Sequence, residues 1–389
     1  MTPDVVVVGL GAVGSALLYR LARAGVRVTG IDRFHPPHDQ GSSHGLTRIT
    51  RLAVGEGDAF VPLVARSHAL WRELEVETGT ELYRRTGGLT IASAGADAHA
   101  FHGAAGFFAR TVAIARANGI AHELLEAGDI RRRYPMFTPD DGASGYLEHD
   151  AGLLFPERAV ATHLTEAGRR GAVLRLGERV LGIEPRGDAV TVRTDRGELS
   201  AARVVVTAGA WMPGLFGAAM GRPLRVLRQV LYWFACDEPA LYAPGRCPVW
   251  IWIHGPGASG AAYGFPMGDG IEGVKVATEQ DTVESDPDRV ERHVGDDEVR
   301  AMFDTQLRGR LVGLQATAVR TATCLYTNTR DAAFVVRDHA ESAAITLVSA
   351  CSGHGFKHSA ALGESLAQRV LGQPMTVPLG AFGPRPAAG

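Results

Sequence analysis

Residues 5–8 are four consecutive valines, a β-branched run suited to a parallel strand buried on both faces. Gly9, Gly11 and Gly14 follow at once, and a helix is expected from about Ala12. A second strand, Arg27 to Ile31, is closed by Asp32, which follows Gly14 by 18 residues. In this order each residue has a job in holding a dinucleotide. Gly9 permits the tight turn, Gly11 lets backbone approach a pyrophosphate, and Gly14 lets the helix pack closely on its strand. The phosphates then sit over the helix N-terminus and the acid reaches the ribose hydroxyls.

Further along, the patterning predicts a helix over 157–171, a strand over 173–180, and a hairpin of 189–194 and 198–199 through Asp195-Arg196-Gly197. Arg203 to Thr207 reads as another buried parallel strand, with Ala208-Gly209-Ala210 small enough to lie against a cofactor. A polar, helical stretch is expected from about Gly88 to Ser144. Between Gly221 and Cys324 a block rich in β-branched and aromatic residues breaks the βαβ rhythm. The fold class that follows is a Rossmann-like α/β domain with an inserted α+β substrate domain on a mostly antiparallel sheet. The expected boundaries are 1–87, 145–220 and 325–389 for the nucleotide domain, with 88–144 and 221–324 for the insertions. The C-terminal GPRPAAG reads as a frayed end.

Composition narrows the function classes. With 389 residues the chain is long enough for two cores. A net charge of -2 with scattered basic residues offers no nucleic-acid or membrane surface. No apolar stretch reaches the ~18 residues that span a bilayer, and MTPD leads into the first strand without the basic region of a signal peptide. Cys236, Cys247, Cys324 and Cys351 lack metal-ligand spacing, so no metal is expected and a reduced cytoplasm is.

Several longer segments are more specific. GLGAVG at 9–14, PPHDQGSSHGLTRITR at 36–51, RQV at 228–230, YGFP at 263–266, CLYT at 324–327 and SGHGFKHS at 352–359 together resemble the monomeric sarcosine oxidase and N-methyltryptophan oxidase group of FAD-dependent amine oxidases. The resemblance runs nearly the whole chain and implies FAD where the glycine fingerprint alone leaves NAD open.

Arg48 and Arg51 are spaced i, i+3, so a helical turn would put both guanidiniums on one side. They lie in a glycine- and serine-rich loop, with Ser43, just past Asp32. By resemblance Arg51 holds the substrate carboxylate, a task suited to a bidentate guanidinium, and Arg48 sits over the flavin. Lys357 lies where a strand, Ile345 to Ser349, gives way to a loop containing Gly353 and Gly355 and then to a helix. Backbone amides there can face the cofactor, and the resemblance makes Lys357 the second carboxylate ligand. His354 and His358 are expected to hydrogen-bond locally. Cys324 is on its own a buried small hydrophobe. By resemblance it carries FAD through a thioether, with Cys351 its rival. Tyr326 and the Tyr263 of YGFP are expected to line the substrate site. Lys275 lies on a strand, Val274 to Ala277, after a turn-rich loop. On its own it reads as a solvated lysine; by resemblance it activates oxygen, since a fixed cation stabilises developing superoxide.

Two departures bear on substrate choice. Where the sarcosine oxidases have a histidine four residues past the oxygen lysine, this chain has Glu279. VWIWIH at 249–254 is a strand with one aromatic face, either a core face or the wall of a pocket for a bulkier substrate. The resulting expectation is a monomeric oxidase that converts a secondary amine bearing a carboxylate, an N-methyl or cyclic amino acid, to an imine, with O2 reduced to hydrogen peroxide. The alternatives are an FAD dehydrogenase that passes electrons to a carrier, a flavoprotein without turnover, and an NAD-dependent dehydrogenase.

Overall fold

The computed structural model describes residues 2–98, 105–268 and 270–383; of the C-terminal GPRPAAG expected to fray, all but Gly383 lies outside them. The valine run forms strand β1 (Val5–Val8), helix α1 covers Ala12–Arg23, and strand β2 covers Val28–Asp32. All four valines are buried, as a strand in the middle of a covered parallel sheet requires. Helix α1 lies tightly on the turn that precedes it, for a methyl on Gly14 would fall 1.8 Å from the Gly9 carbonyl oxygen.

The six-stranded sheet runs, edge to edge, Val335–His339, Ser342–Ser349, Arg203–Val206, β1, β2 and Val173–Leu176. Its pairs are parallel except the first. The expected strand over 173–180 is two strands. Gly177, at φ +64, turns the chain, and Val180–Arg186 joins a separate three-stranded sheet with Ala189–Thr194 and Gly197–Ala201. The expected helix over 157–171 is Pro156–Arg169.

The eight-stranded sheet runs Leu314–Asn328, Arg225–Cys236, Val274–Thr278, Ala261–Gly264, Val249–Ile253, Gly88–Ala92, Ser144–Glu148 and His122–Glu126. Only the Val249–Ile253 and Gly88–Ala92 pair is parallel. The stretch expected to be helical from Gly88 to Ser144 thus supplies strands as well as helices. An edge strand of the sheet, HELLE, buries only Leu125, so its composition hides it among polar helices. Ser144–Glu148 and Leu314–Asn328 run across the expected divisions at 144 and 324.

The two faces of this sheet differ. Trp250 and Trp252 point to the far side, into a core with Phe137, Tyr232, Phe234, Val274 and Val276, so the aromatic face of VWIWIH is a core face. The near side carries Leu227, Leu231, Trp233, Ala277, Cys324 and Tyr326, with Tyr263 packed against them. A fourth sheet, Arg48–Thr50 with Gly152–Leu154 and Tyr83–Arg85, also contributes to the site through Arg48.

Candidate active site

A cavity of about 740 Å³ opens at the carboxyl ends of the parallel strands, where a doubly wound sheet takes its ligand. Gly9, Gly11, Asp32, Ser43, Gly353 and Gly355 line it, together with Arg48, Tyr326 and Cys351. Gly14 lies behind the wall, where its lack of a side chain serves packing. The Ser43 hydroxyl accepts from the Ala12 N–H at 3.1 Å and ties the second loop to the start of α1. Asp32 accepts from the N–H of Leu10 at 2.7 Å and of Phe34 at 2.8 Å. Two bonds fix its carboxylate at the cavity wall and leave acceptor capacity for ribose hydroxyls. The glycine cradle, the placed acid and the volume of the cavity fit FAD. His44, in the same serine-rich loop, is buried, and burial with Arg48 nearby pushes its pKa down to about 3.

The near face of the eight-stranded sheet brings the catalytic candidates together. Lys275 is buried and donates to the carbonyls of Gly45 (2.6 Å) and Thr47 (2.7 Å) and to the Thr47 hydroxyl (3.1 Å). Its Nζ lies 4.4 Å from the centre of the Phe265 ring. Burial, then Arg48, pushes its pKa well down. Arg48 donates to the carbonyls of Ser42 and Thr47 at 2.8 Å each and reaches the Cys324 sulfur at 3.6 Å. Cys324 is fully buried; burial raises its pKa and Arg48 opposes the rise. Tyr263 and Tyr326 meet hydroxyl to hydroxyl at 3.2 Å. Burial raises both phenols, and Glu279 adds to the effect.

Arg51 and Arg48 do not share a side. Residues 48–50 are a strand paired with Gly152–Leu154, not a helical turn, so i and i+3 point to opposite faces. The buried Arg51 bonds the Ala53 carbonyl and pairs with Glu56 at 3.0 Å. Lys357, also buried, donates to the His354 carbonyl at 2.9 Å and lies 3.8 Å from the same Glu56. Burial moves its pKa down to about 8, against the pull of Glu56. Both expected carboxylate ligands therefore meet at one carboxylate. His354 bonds the Ala332 carbonyl at 2.9 Å as expected. His358 instead is held by ring contacts with Phe60 and Phe334, and neither ring nitrogen has a hydrogen-bond partner.

Four residues of the site escaped sequence reasoning. Glu56 counters the cationic pair. Glu157 accepts from the N–H groups of Gly45 (2.7 Å) and Leu46 (3.0 Å) and holds the loop that carries Lys275's acceptors. Glu148 takes the N–H groups of Leu52 and Ala53. Gln229 of the RQV segment brackets the backbone of Gln280. The acid five positions after Arg51 was the one signal within reach. The other three act across long stretches of chain.

The chain is similar to known proteins along nearly its whole length. Residues 4–369 match the DAO family model, FAD dependent oxidoreductase. Monomeric sarcosine oxidase from Streptomyces avermitilis is 38% identical over 387 residues, covering 99% of this chain and 97% of that one. N-methyl-L-tryptophan oxidase from Yersinia pestis is 33% identical, covering 98% of each. Among solved structures, the open form of NikD, an unusual amino acid oxidase essential for nikkomycin biosynthesis, superposes with a TM-score of 0.84 over 100% of this chain and 98% of its own. At 24% identity it shares the fold. Among the described residues no group of side chains could hold a metal ion, and no helix is long and apolar enough to cross a membrane. The chain belongs to the FAD dependent oxidoreductase family of amine oxidases, alongside monomeric sarcosine oxidase and N-methyl-L-tryptophan oxidase.

Proposed function

We propose that this FAD-dependent amine oxidase acts on a secondary amine bearing a carboxylate, an N-methyl or cyclic amino acid, with O2 as electron acceptor. The observation that carries the substrate class is the pair Arg51 and Lys357, two buried cations converging on one carboxylate. Buried cations are costly without an anion, and a substrate carboxylate offers them the same group that Glu56 does. Bound FAD supplies the two-electron oxidation of the amine to the imine and the reduction of O2 to hydrogen peroxide. The chain's residues position the reactants. Arg51 and Lys357 orient the carboxylate, Tyr263 and Tyr326 wall the amine side, and Lys275 provides a fixed charge for oxygen; most of the catalysis is this alignment.

Cys324 is the proposed point of covalent attachment, since Arg48 beside it favours the thiolate that would form the thioether. Cys351 is the rival: it lines the cavity directly, whereas Cys324 sits just behind the wall. Four free cysteines support a reduced, cytoplasmic setting, and the family resemblance supports a monomer. The test has two arms. A panel of N-methyl and cyclic amino acids is scored for peroxide in air and for bleaching of the flavin without it. Bleaching without peroxide would make the protein a dehydrogenase, and no bleaching by any amine would sink the reading. Acid precipitation should leave the pellet yellow in the native protein and in Cys351→Ala but not in Cys324→Ala.

A further inference from the structure

Glu279 stands where the near face of the eight-stranded sheet meets the carboxylate pair. Side chains alternate along a strand, so Lys275 and Ala277 of Val274–Thr278 share the near face and Glu279 is the next position on that side. Tyr263 is the cross-strand partner of Ala277. The side chain of Gln229 accepts from the N–H of Gln280 at 3.0 Å and donates to its carbonyl at 2.7 Å, which fixes the backbone one residue beyond. Glu279 is only 8% exposed. A methyl on Gly353 would lie 3.3 Å from its Oε1 and 3.1 Å from the ring of Tyr326. The carboxylate, the cavity-lining glycine and the tyrosine thus converge, within electrostatic reach of Lys357.

This placement gives the site two poles. Arg51 and Lys357 form the cationic pole and take a carboxylate. Past Lys357, on the side of the two tyrosines, the charge turns negative. In an amino acid the amine is one carbon from the carboxylate, so a substrate held by the cations presents its nitrogen to this second region. A pocket of cations alone would prefer the neutral amine; a buried carboxylate facing the nitrogen reverses that preference.

We propose that Glu279 is a specificity-determining residue that binds the substrate's amino nitrogen in its protonated form, so that the enzyme selects the zwitterion. The proposal rests on the reading of Arg51 and Lys357 as the carboxylate ligands. It is tested without turnover, using trimethylglycine and its neutral carbon isostere tert-butylacetate. The two have the same shape and the same carboxylate and differ in one positive charge, and neither has a nitrogen lone pair to oxidise. Calorimetric titration of the flavin-loaded enzyme should show trimethylglycine binding roughly tenfold or more tighter, the scale of a close charge pair in a protein site. In Glu279→Gln the ratio should fall to about one while tert-butylacetate binds no more weakly than before, which also reports that the fold is intact. Glu279→Asp should keep part of the preference. A preference that survives in Glu279→Gln, or its absence from the wild type, overturns the proposal. If neither ligand binds the wild type, the carboxylate reading of Arg51 and Lys357 falls first and this proposal with it. Peroxide formation from the amine panel, in contrast, stands or falls independently of the ratio.

Discussion

Lys275 meets three acceptors with its amino group, and three is the number of protons on an ammonium. Burial works the other way, pushing its pKa well down. The acceptors and the neighbouring Phe265 ring are what keep a charge there affordable. If that charge serves oxygen, Lys275→Met should slow reaction of the reduced enzyme with O2 by two to three powers of ten, since one preorganised group at a developing anion contributes ~3 to 4 kcal/mol. Anaerobic reduction by the amine should change far less. Stopped-flow measurement of the two half-reactions separates the outcomes, and equal slowing of both would make Lys275 a structural residue. Lys357 makes a prediction about pH. Its pKa falls from 10.5 to about 8, so the charge that holds a carboxylate is present below that value and is lost as pH rises through it. The KM of a carboxylate-bearing amine should therefore climb above about pH 8 as the wild type loses this charge. In Lys357→Met, KM should be high throughout and this rise absent; a rise of the same size in the variant would assign it to another group.

At the scale of elements, what could be read from sequence depended on how local its cause was. The β1, α1, β2 unit was legible because each residue acts on its neighbours: valines fill the sheet, glycines close the turn, and the acid ends the next strand. Arg48 and Arg51 misled because their segment is a strand only by virtue of pairing with Gly152–Leu154, far along the chain. The adjacency of Lys275, Cys324 and Tyr326 comes from the register of three strands, and sequence offered it only through family resemblance. Glu157 and Gln229 have roles that exist only after folding. The local unit also predicts its weakest point. Gly14→Ala places a methyl 1.8 Å from the Gly9 carbonyl oxygen, backbone against backbone, so the helix must move off the strand. Overpacking of this kind costs ~1 to 3 kcal/mol. We expect a lower denaturation midpoint together with loss of bound flavin, because the same turn forms the phosphate cradle. Full flavin content in Gly14→Ala would show that the turn can shift without disturbing the cofactor site.

Across the whole molecule, the cofactor cavity lies between two bodies of structure. Its floor is the parallel sheet, and part of its rim is the segment 284–288, which leads away from the eight-stranded sheet. That segment is held to the nucleotide side by Asp288, which pairs with Arg33 at 2.5 Å and accepts from the Trp211 indole at 2.8 Å. Nearby, Arg292 donates to the carbonyls of Asp39 and Gln40. The Asp288 pair is partly exposed on both sides, and such pairs contribute only ~0 to 1 kcal/mol. The rim is therefore a weak clasp over a tightly built floor, and it should govern how fast the cofactor leaves more than whether the fold survives. In the native enzyme a thioether at Cys324 would hide this effect, so the test belongs in Cys324→Ala. Adding Asp288→Ala there should speed FAD release, followed by the fluorescence of the freed flavin, by about twofold to tenfold, the range that one weak pair and one hydrogen bond supply. The thermal midpoint of the flavin-free protein should hardly move. A large fall in that midpoint with unchanged release would show that Asp288 holds the two bodies together, leaving the cofactor's exit to other parts of the rim.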